Sequence, residues 1–433
     1  MIIVFYADWC TLCRQMRGVT LKDAEVINLS DAFEWVEVDI DRNPTLAKRY
    51  GVKAVPQLQI VDTAGILRTV IIGRSDPEEL AQNLRDALTQ IRDSFPQRFS
   101  KDPVRIEDGP SVVVLGVIGD YRGRSICFAN VGYGPLDLPS QSPLQLLRLG
   151  ISPRKPSTLI EGDKEVRLRA TWVNIWADEA EYFFDYETLQ TDISLDYGLT
   201  DTLQLGLAFQ TQSRFGGAMD SFIQEFHDLF GIDQNGRDQV PRDEFNFEID
   251  PSDSQPGVTL TGSDRGLYAT SGVLTFQHNV SCGTDTLPAF AYAVSLRYEL
   301  KSDDLQGGSP FDLAASLALS KRYGDFYLYG TLGYAVFGRD SFREVELRDT
   351  QFSFLAAFEW RAFTTASVMV QYLVTEGLAD DLGDLSEPSH EITLGAKWEI
   401  ITGTVIELGL IENIITFGNS PDFGLHLGIM TRF

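Results

Sequence analysis

From Asp163 to Phe433, apolar and polar side chains alternate in long runs, and that period of two commits the segment to sheet. In Glu391–Ile400 the residues Ile392, Leu394, Ala396, Trp398 and Ile400 share one face; Glu391, Thr393, Gly395, Lys397 and Glu399 share the other. A two-layer sandwich alternates in the same way, so the connections have to decide. Twelve strands are predicted, at about 164–176, 184–198, 202–213, 266–280, 286–300, 311–322, 325–337, 350–362, 364–375, 390–400, 403–415 and 422–433. Short links (199–201, 281–285, 323–324, 363, 401–402) alternate with long ones (214–265, 301–310, 338–348, 376–389). Tight turns on one side, long loops on the other and an even strand count predict an all-β antiparallel transmembrane β-barrel. Trp172, Trp176, Trp360 and Trp398 fall near strand ends, as an interfacial girdle requires, and the last strand ends on Phe433. The inward rows hold Arg167, Arg169, Lys397, Glu407 and Arg432, which suit either a narrow solute path or a salt-bridged plug.

The formal net charge of −26 excludes nucleic acid as a partner, because no basic surplus exists to displace counterions from phosphates. That charge is unevenly spread. Residues 1–95 carry 11 Lys/Arg against 14 Asp/Glu, leaving 25 against 48 for the rest, so the chain is read as parts built for different surroundings. No stretch approaches the roughly 18–20 apolar residues of a membrane helix. Met1 opens directly into the strand-like Ile2–Tyr6 with no export leader ahead of it.

The first 93 residues read differently from the barrel. Ile2–Tyr6, Trp35–Ile40, Gln57–Val61 and Arg68–Gly73 are predicted strands; the stretch from Cys10, Pro44–Tyr50 and Pro77–Ile91 are predicted helices, giving the order βαβαββα. Cys10 and Cys13 form a lone C-x-x-C pair, poor for zinc and good for dithiol chemistry. Cys10 falls at a helix start, where unpaired N–H groups and the dipole favour thiolate; Cys13, one turn on, can resolve a mixed disulfide.

Tyr6-Ala7-Asp8-Trp9-Cys10-Thr11-Leu12-Cys13 and the downstream Val55-Pro56 resemble the thioredoxin family over residues 1–93, closest to its envelope-type members. The resemblance implies an α/β thioredoxin-like domain lacking its first strand and helix. It implies Cys10 as nucleophile and Cys13 as resolving thiol, with Trp9 shielding the pair and a cis Pro56 beside the sulfurs. No cofactor is expected beyond the redox-active disulfide. One departure stands out: Val4 occupies the position where the family carries a buried acid.

Residues 94–162 hold Pro96, Pro103, Pro110, Pro135, Pro139, Pro143, Pro153 and Pro156, and are read as a Pro-rich linker and pre-barrel segment, with Ser111–Gly119 as a single buried strand rather than the alternative, a relict or internal export signal ahead of Cys127-Phe128-Ala129. Gly134-Pro135-Leu136, Gln141-Ser142-Pro143-Leu144, the run Asp220–Gly231 and Gly236–Pro241 resemble the bacterial outer-membrane family called domain of unknown function 3187, from about residue 132 to the end. That resemblance implies location and fold, and no reaction.

In the 214–265 loop, Phe222, Phe226 and Phe230 with Ile223 form the apolar face of a helix, fit to plug the mouth, lie on the outer leaflet, gate a ligand or pack on the rim. His227 and Arg237 belong to the same motif, without an assigned role. Cys127 and Cys282 are read as a second disulfide, a tethered substrate for Cys10, or two unrelated thiols. The expected protein is a thiol–disulfide oxidoreductase tethered to an outer-membrane barrel, with its redox domain in the periplasm. Its partners would be envelope thiol and disulfide proteins, outer-membrane lipid and the barrel assembly machinery. The alternative is a pore or assembly protein whose redox domain is a docking module or an accidental fusion. The missing leader points to a start that is cut short or fused.

Overall fold

The computed structural model describes residues 1–433 except 8, 31, 34, 62–66, 95–131, 232, 233, 235, 252–255, 284–286, 364, 402, 414 and 416. Two units emerge, Met1–Ile126 and Cys127–Phe433, and each is described by itself.

In the first unit a central strand β1 (Ile2–Tyr6) pairs in parallel with β2 (Trp35–Asp39) and antiparallel with β3 (Gln57–Val61), which pairs with β4 (Leu67–Ile72). Both faces of β1 are covered, which is why it reads as an unbroken apolar run. Ile2 and Val4 pack with Met16, Val26, Leu58 and Ile60 on one side; Ile3 and Phe5 pack with Val38, Tyr50 and Val61 on the other. Helix α4 (Pro77–Ser94) adds Leu80, Ala81, Leu84 and Ala87, spaced to line one face. The predicted order is met with one addition. The helix from Cys10 splits into α1 (Thr11–Gly18) and α2 (Ala24–Ser30), because the Asp23 carboxylate caps a fresh start, accepting from the backbone N–H of Glu25 at 2.9 Å and of Val26 at 3.4 Å. Helix α3 (Pro44–Arg49) follows β2.

The second unit is a closed barrel of twelve antiparallel strands. The first six are β5 (Lys164–Asp178), β6 (Tyr182–Thr200), β7 (Leu203–Phe215), β8 (Gly266–Ser281), β9 (Ala289–Ser302) and β10 (Phe311–Tyr323). The others are β11 (Phe326–Val336), β12 (Thr350–Phe363), β13 (Ala366–Thr375), β14 (Ser389–Ile401), β15 (Thr404–Asn413) and β16 (Phe423–Arg432). Each pairs with its chain neighbour, and β16 returns to β5 from Phe423↔Asn174 to Arg432↔Glu165. Lys164 and Phe433 exchange two backbone hydrogen bonds of 2.9 Å, so the terminal residue seals the seam. Tyr292, Val294, Leu296, Tyr298 and Leu300 point outward and exposed, while Ala291 and Ala293 of the same strand point in. Trp360 and Trp398 are exposed with Tyr323, Phe326 and Phe363 near the short-turn end, as a girdle should be.

Trp172 and Trp176 depart from that expectation. Trp176 is buried, edge-on to Phe183, and the half-buried Trp172 donates from Nε1 to Glu187 at 2.5 Å. Strand β6, with 19 residues, is the longest of the barrel and pairs with the 15-residue β5; the long loop after β7 folds over their far ends and covers both rings.

Residues 132–162 sit inside the barrel. Of the predicted 94–162 linker, Ser94 ends α4 and only 132–162 is otherwise described; its extended course crosses the lumen twice, and Ser111–Gly119 lies outside the described residues. The strap enters at the short-turn end, where the Glu359 carboxylate accepts from the N–H of Tyr133 (3.1 Å) and Gly134 (3.2 Å). It rises past Gln371, whose Oε1 accepts from Leu136 N at 3.0 Å, and past Glu391, which accepts from Gln141 N at 2.9 Å. It turns at Leu144, whose φ is 64°. It then descends past Asp312, which accepts from Leu149 N at 3.1 Å, to Gln204, which accepts from Leu159 N at 2.8 Å. A buried backbone needs a partner for every N–H, and the inward carboxylates and amides supply them here; the five strap prolines reduce the number required.

Leu136 anchors the rising limb. It is fully buried, and a Cβ placed on Gly395 or Gly409 would lie 2.7 or 3.0 Å from its Cδ1, so the two glycines make its seat. Leu136→Ala should therefore destabilise the barrel by about 2–5 kcal/mol. Thermal unfolding in detergent, followed by far-UV circular dichroism, should show a lowered midpoint; an unchanged midpoint would contradict the seat.

Candidate functional site

Cys10 ends the turn that leaves β1 and is the N-cap of α1, with extended backbone (φ −74°, ψ 105°). Its Sγ accepts from the N–H of Cys13 at 3.0 Å, the contact through which a helix start stabilises a thiolate. The two residues are joined as a disulfide with Cα atoms 5.2 Å apart. The Val55–Pro56 peptide is cis, and the Val55 carbonyl lies 3.5 Å from Cys10 Sγ. The sequence signals thus converge: Cys10, Cys13, Val55 and Pro56 meet at one point although 45 residues separate them.

Both sulfurs are nearly buried, packed with Ala7, Tyr6, Ile40 and Val55. Trp9 does less covering than expected: it is 64% exposed, with Nε1 donating to Asp41 at 2.7 Å. Its side chain is tethered outward at the rim of the site. Arg17 lies 3.8 Å over the Tyr6 ring and pairs with Glu37 at 2.6 Å. Burial works against its charge, but the Tyr6 hydroxyl and Glu37 outweigh it and raise the Arg17 pKa. Val4 is buried among Met16, Val26 and Leu58, so the position beneath α1 that the family fills with an acid holds hydrocarbon instead.

The remaining sequence candidates lie in the barrel unit. Helix α5 (Asp220–Phe230) seats Phe222 and Phe226 against Phe423, each pair of rings 5.4 Å apart, with Ile223 buried beneath. Phe230 closes the helix, and its side chain lies outside the described ones. His227 is buried with neither ring nitrogen hydrogen-bonded among the described residues, and no serine or cysteine partners it, so no triad assembles. Arg237 has the role that the sequence left blank. Buried beneath the loop, it pairs with Asp220 (2.9 Å) and Asp422 (2.8 Å), donates to Asn174 Oδ1 (2.6 Å) and lies 5.3 Å over Trp176. It ties the long loop to β5 and to the residue before β16. Nothing periodic in the sequence marks such a hub; only the clustering of Arg237 with acids in one loop hints at it. Cys282 follows β8 at the short-turn end, its Sγ 3.9 Å from Asn279 Oδ1. Cys127 lies outside the described residues, and the Cys127–Cys282 pairing with it.

The fold and the sulfur site define a thioredoxin-like domain joined to a transmembrane-type β-barrel. The chain belongs to the family described as Protein of unknown function (DUF3187), matched over residues 125–433, and to the thioredoxin family, matched over residues 1–86. A thiol:disulfide interchange protein of Synechococcus elongatus is 35% identical over 96 residues, 21% of this chain and 48% of that protein. A thioredoxin of Pyropia yezoensis is 32% identical over 83 residues, 19% of this chain and 75% of that one. The chain spans about half the length of the first of these. An outer membrane channel of Pseudomonas putida F1 overlays 65% of this chain and 100% of its own, with 11% identity and a TM-score of 0.43.

Removing Arg237 would leave Asp220 and Asp422 buried without their cation, a loss of about 3–5 kcal/mol. Arg237→Ala should accordingly free the loop, and limited proteolysis should cut within residues 216–265 much faster than in the unaltered protein. Equal cleavage rates would argue against the hub.

Proposed function

We propose that this protein is a thiol–disulfide oxidoreductase whose redox domain is tethered to an outer-membrane β-barrel and works in the periplasm. The observation that carries the reading is the Cys10 sulfur, held at the start of α1 by the Cys13 N–H and flanked by cis Pro56. In the reduced state the Cys10 thiolate attacks one sulfur of a substrate disulfide, breaking that S–S bond and releasing one substrate thiolate. The Cys13 thiolate then attacks Cys10 Sγ, releasing the second substrate thiolate and closing the Cys10–Cys13 disulfide. Two electrons pass from the dithiol to the substrate; the same steps reversed oxidise a substrate dithiol.

Val4 offers no proton acceptor for Cys13, so resolution relies on water or on the departing substrate thiolate. The substrates this supports are envelope proteins bearing exposed disulfides. One candidate is tethered in the chain itself: a Cys127–Cys282 disulfide, with Cys282 at the barrel end that carries the short turns. The apolar outer belt and the sealed seam support an outer-membrane location, with lipid around the barrel and the barrel assembly machinery as its route in.

Cys13→Ser in the full-length protein should accumulate mixed disulfides through Cys10, seen as reductant-sensitive high-mass bands; Cys10→Ser should show none. If neither variant traps a partner, the domain is a docking module and the pore or assembly reading takes over. Diagonal electrophoresis of a Cys10→Ser, Cys13→Ser double variant tests the second pair. Reductant should shift its mobility if Cys127 and Cys282 are joined, and an unchanged mobility ends that part of the proposal.

A further inference from the structure

The lumen beside the strap is not evenly charged. A cavity of about 50 Å³ opens at the short-turn end, lined by the cations Arg154, Lys155, Arg167, Lys397 and Arg432 against the acids Asp137, Glu165 and Glu407. This surplus of positive charge sits inside a chain whose net charge is −26, so composition does not account for it.

The three acids are already committed. Asp137 is gripped by Arg167 at 2.8 Å and Arg169 at 2.5 Å. Glu165 is held by Arg432 at 2.7 Å and also by Arg167. Glu407 takes Lys397 at 3.0 Å and His426 at 3.3 Å. Arg154 has its own carboxylate outside this lining, Asp196 at 3.3 Å. Lys155 is left over. Its carbonyl accepts from Gln277 Nε2 at 2.9 Å, fixing the backbone, and its stem packs on Gly134; among the described residues its ammonium has no carboxylate or carbonyl partner.

A half-buried ammonium without a counter-ion, in a walled cavity with further cations around it, is a site waiting for negative charge. Protein walls reduce screening, so the attraction exceeds that at an open surface. The Tyr133 and Thr158 hydroxyls in the same lining already donate to Glu399 (3.2 Å) and to the Asp201 carbonyl (2.9 Å), so the cations are what faces a ligand.

We propose that this cavity binds a small oxyanion, phosphate or a dicarboxylate, with Lys155 as its primary contact and Arg432 and Arg167 flanking it. The site belongs to the barrel unit alone and stands or falls independently of the redox chemistry. A solute that bears such a group would be held at the short-turn mouth, between strap and wall.

The test uses full-length protein in a neutral detergent, titrated calorimetrically with potassium phosphate and, separately, potassium succinate, at ionic strength held constant with KCl. Saturable binding to one of the two is expected, and it identifies the source of the oxyanion. Lys155→Met should weaken that binding by about tenfold or more, the loss expected for one charge-assisted hydrogen bond, while Lys155→Arg should largely keep it. The exposed Lys301→Met should leave it unchanged. In the unaltered protein, the bound anion should protect Lys155 from an amine-reactive reagent, read by mass spectrometry, so the result does not depend on the variants folding. Absence of saturation with both anions, or Lys155 labelling that neither anion slows, overturns the proposal.

Discussion

A sheet that faces hydrocarbon cannot keep a free edge, because every unpaired N–H or C=O there costs several kcal/mol and no water is present to relieve it. Closure of β16 on β5 removes both edges at once, and the two hydrogen bonds between Lys164 and Phe433 carry the ladder to the last residue. Closing the sheet also divides the side chains. Outward positions take leucine, valine and aromatics, and the polar half of each strand is forced inward, where Arg169, Asp192, Arg297, Asp312, Glu391 and Lys397 crowd a narrow space. Like charges packed there would repel; neutralisation has to come from across the lumen or from a segment placed within it. The ion pairs Arg169–Asp137 and Arg297–Asp312 show both solutions, the first to the strap and the second between neighbouring strands.

The same division explains what could be read in advance. Strand positions follow from a period of two, and eleven of the twelve predicted strands begin within two residues of the observed ones because each shift by one would turn a greasy face inward. The first residues of β9 are the exception, where the link from β8 is longer than predicted. The dithiol site was legible for a different reason: the helix start and the C-x-x-C spacing are local chemistry, and the resemblance to the thioredoxin family added Val55-Pro56. The strap was not legible as a lumen filler. Irregular backbone has no period, and its partners, Glu359, Gln371, Glu391 and Asp312, are scattered over some 80 residues of barrel. Trp176 misled because its alternation matched an outward girdle; what buries it is a distant loop pinned by Arg237.

The strap and the barrel hold each other by two kinds of contact that respond differently to water. Its hydrogen bonds to Glu359, Glu391 and Asp312 could be replaced one for one by solvent entering a polar lumen, so their net worth is about 1 kcal/mol each, or somewhat more where a carboxylate accepts. Leu136, Leu138, Leu144 and Leu147 have no such substitute. They join a core with Val173, Met369 and Ile411, and exposing each would cost about 1.5–3 kcal/mol. The leucines, clustered around the top of the strap, therefore hold it in place, and the polar contacts set its register. Toward the short-turn end, from Ser152 to Thr158, the descending limb carries no leucine and is lined instead by Arg154 and Lys155. That end of the lumen is open and charged, whereas further along the leucines pack the strap against the wall, a difference along one passage that a uniformly packed plug would not have.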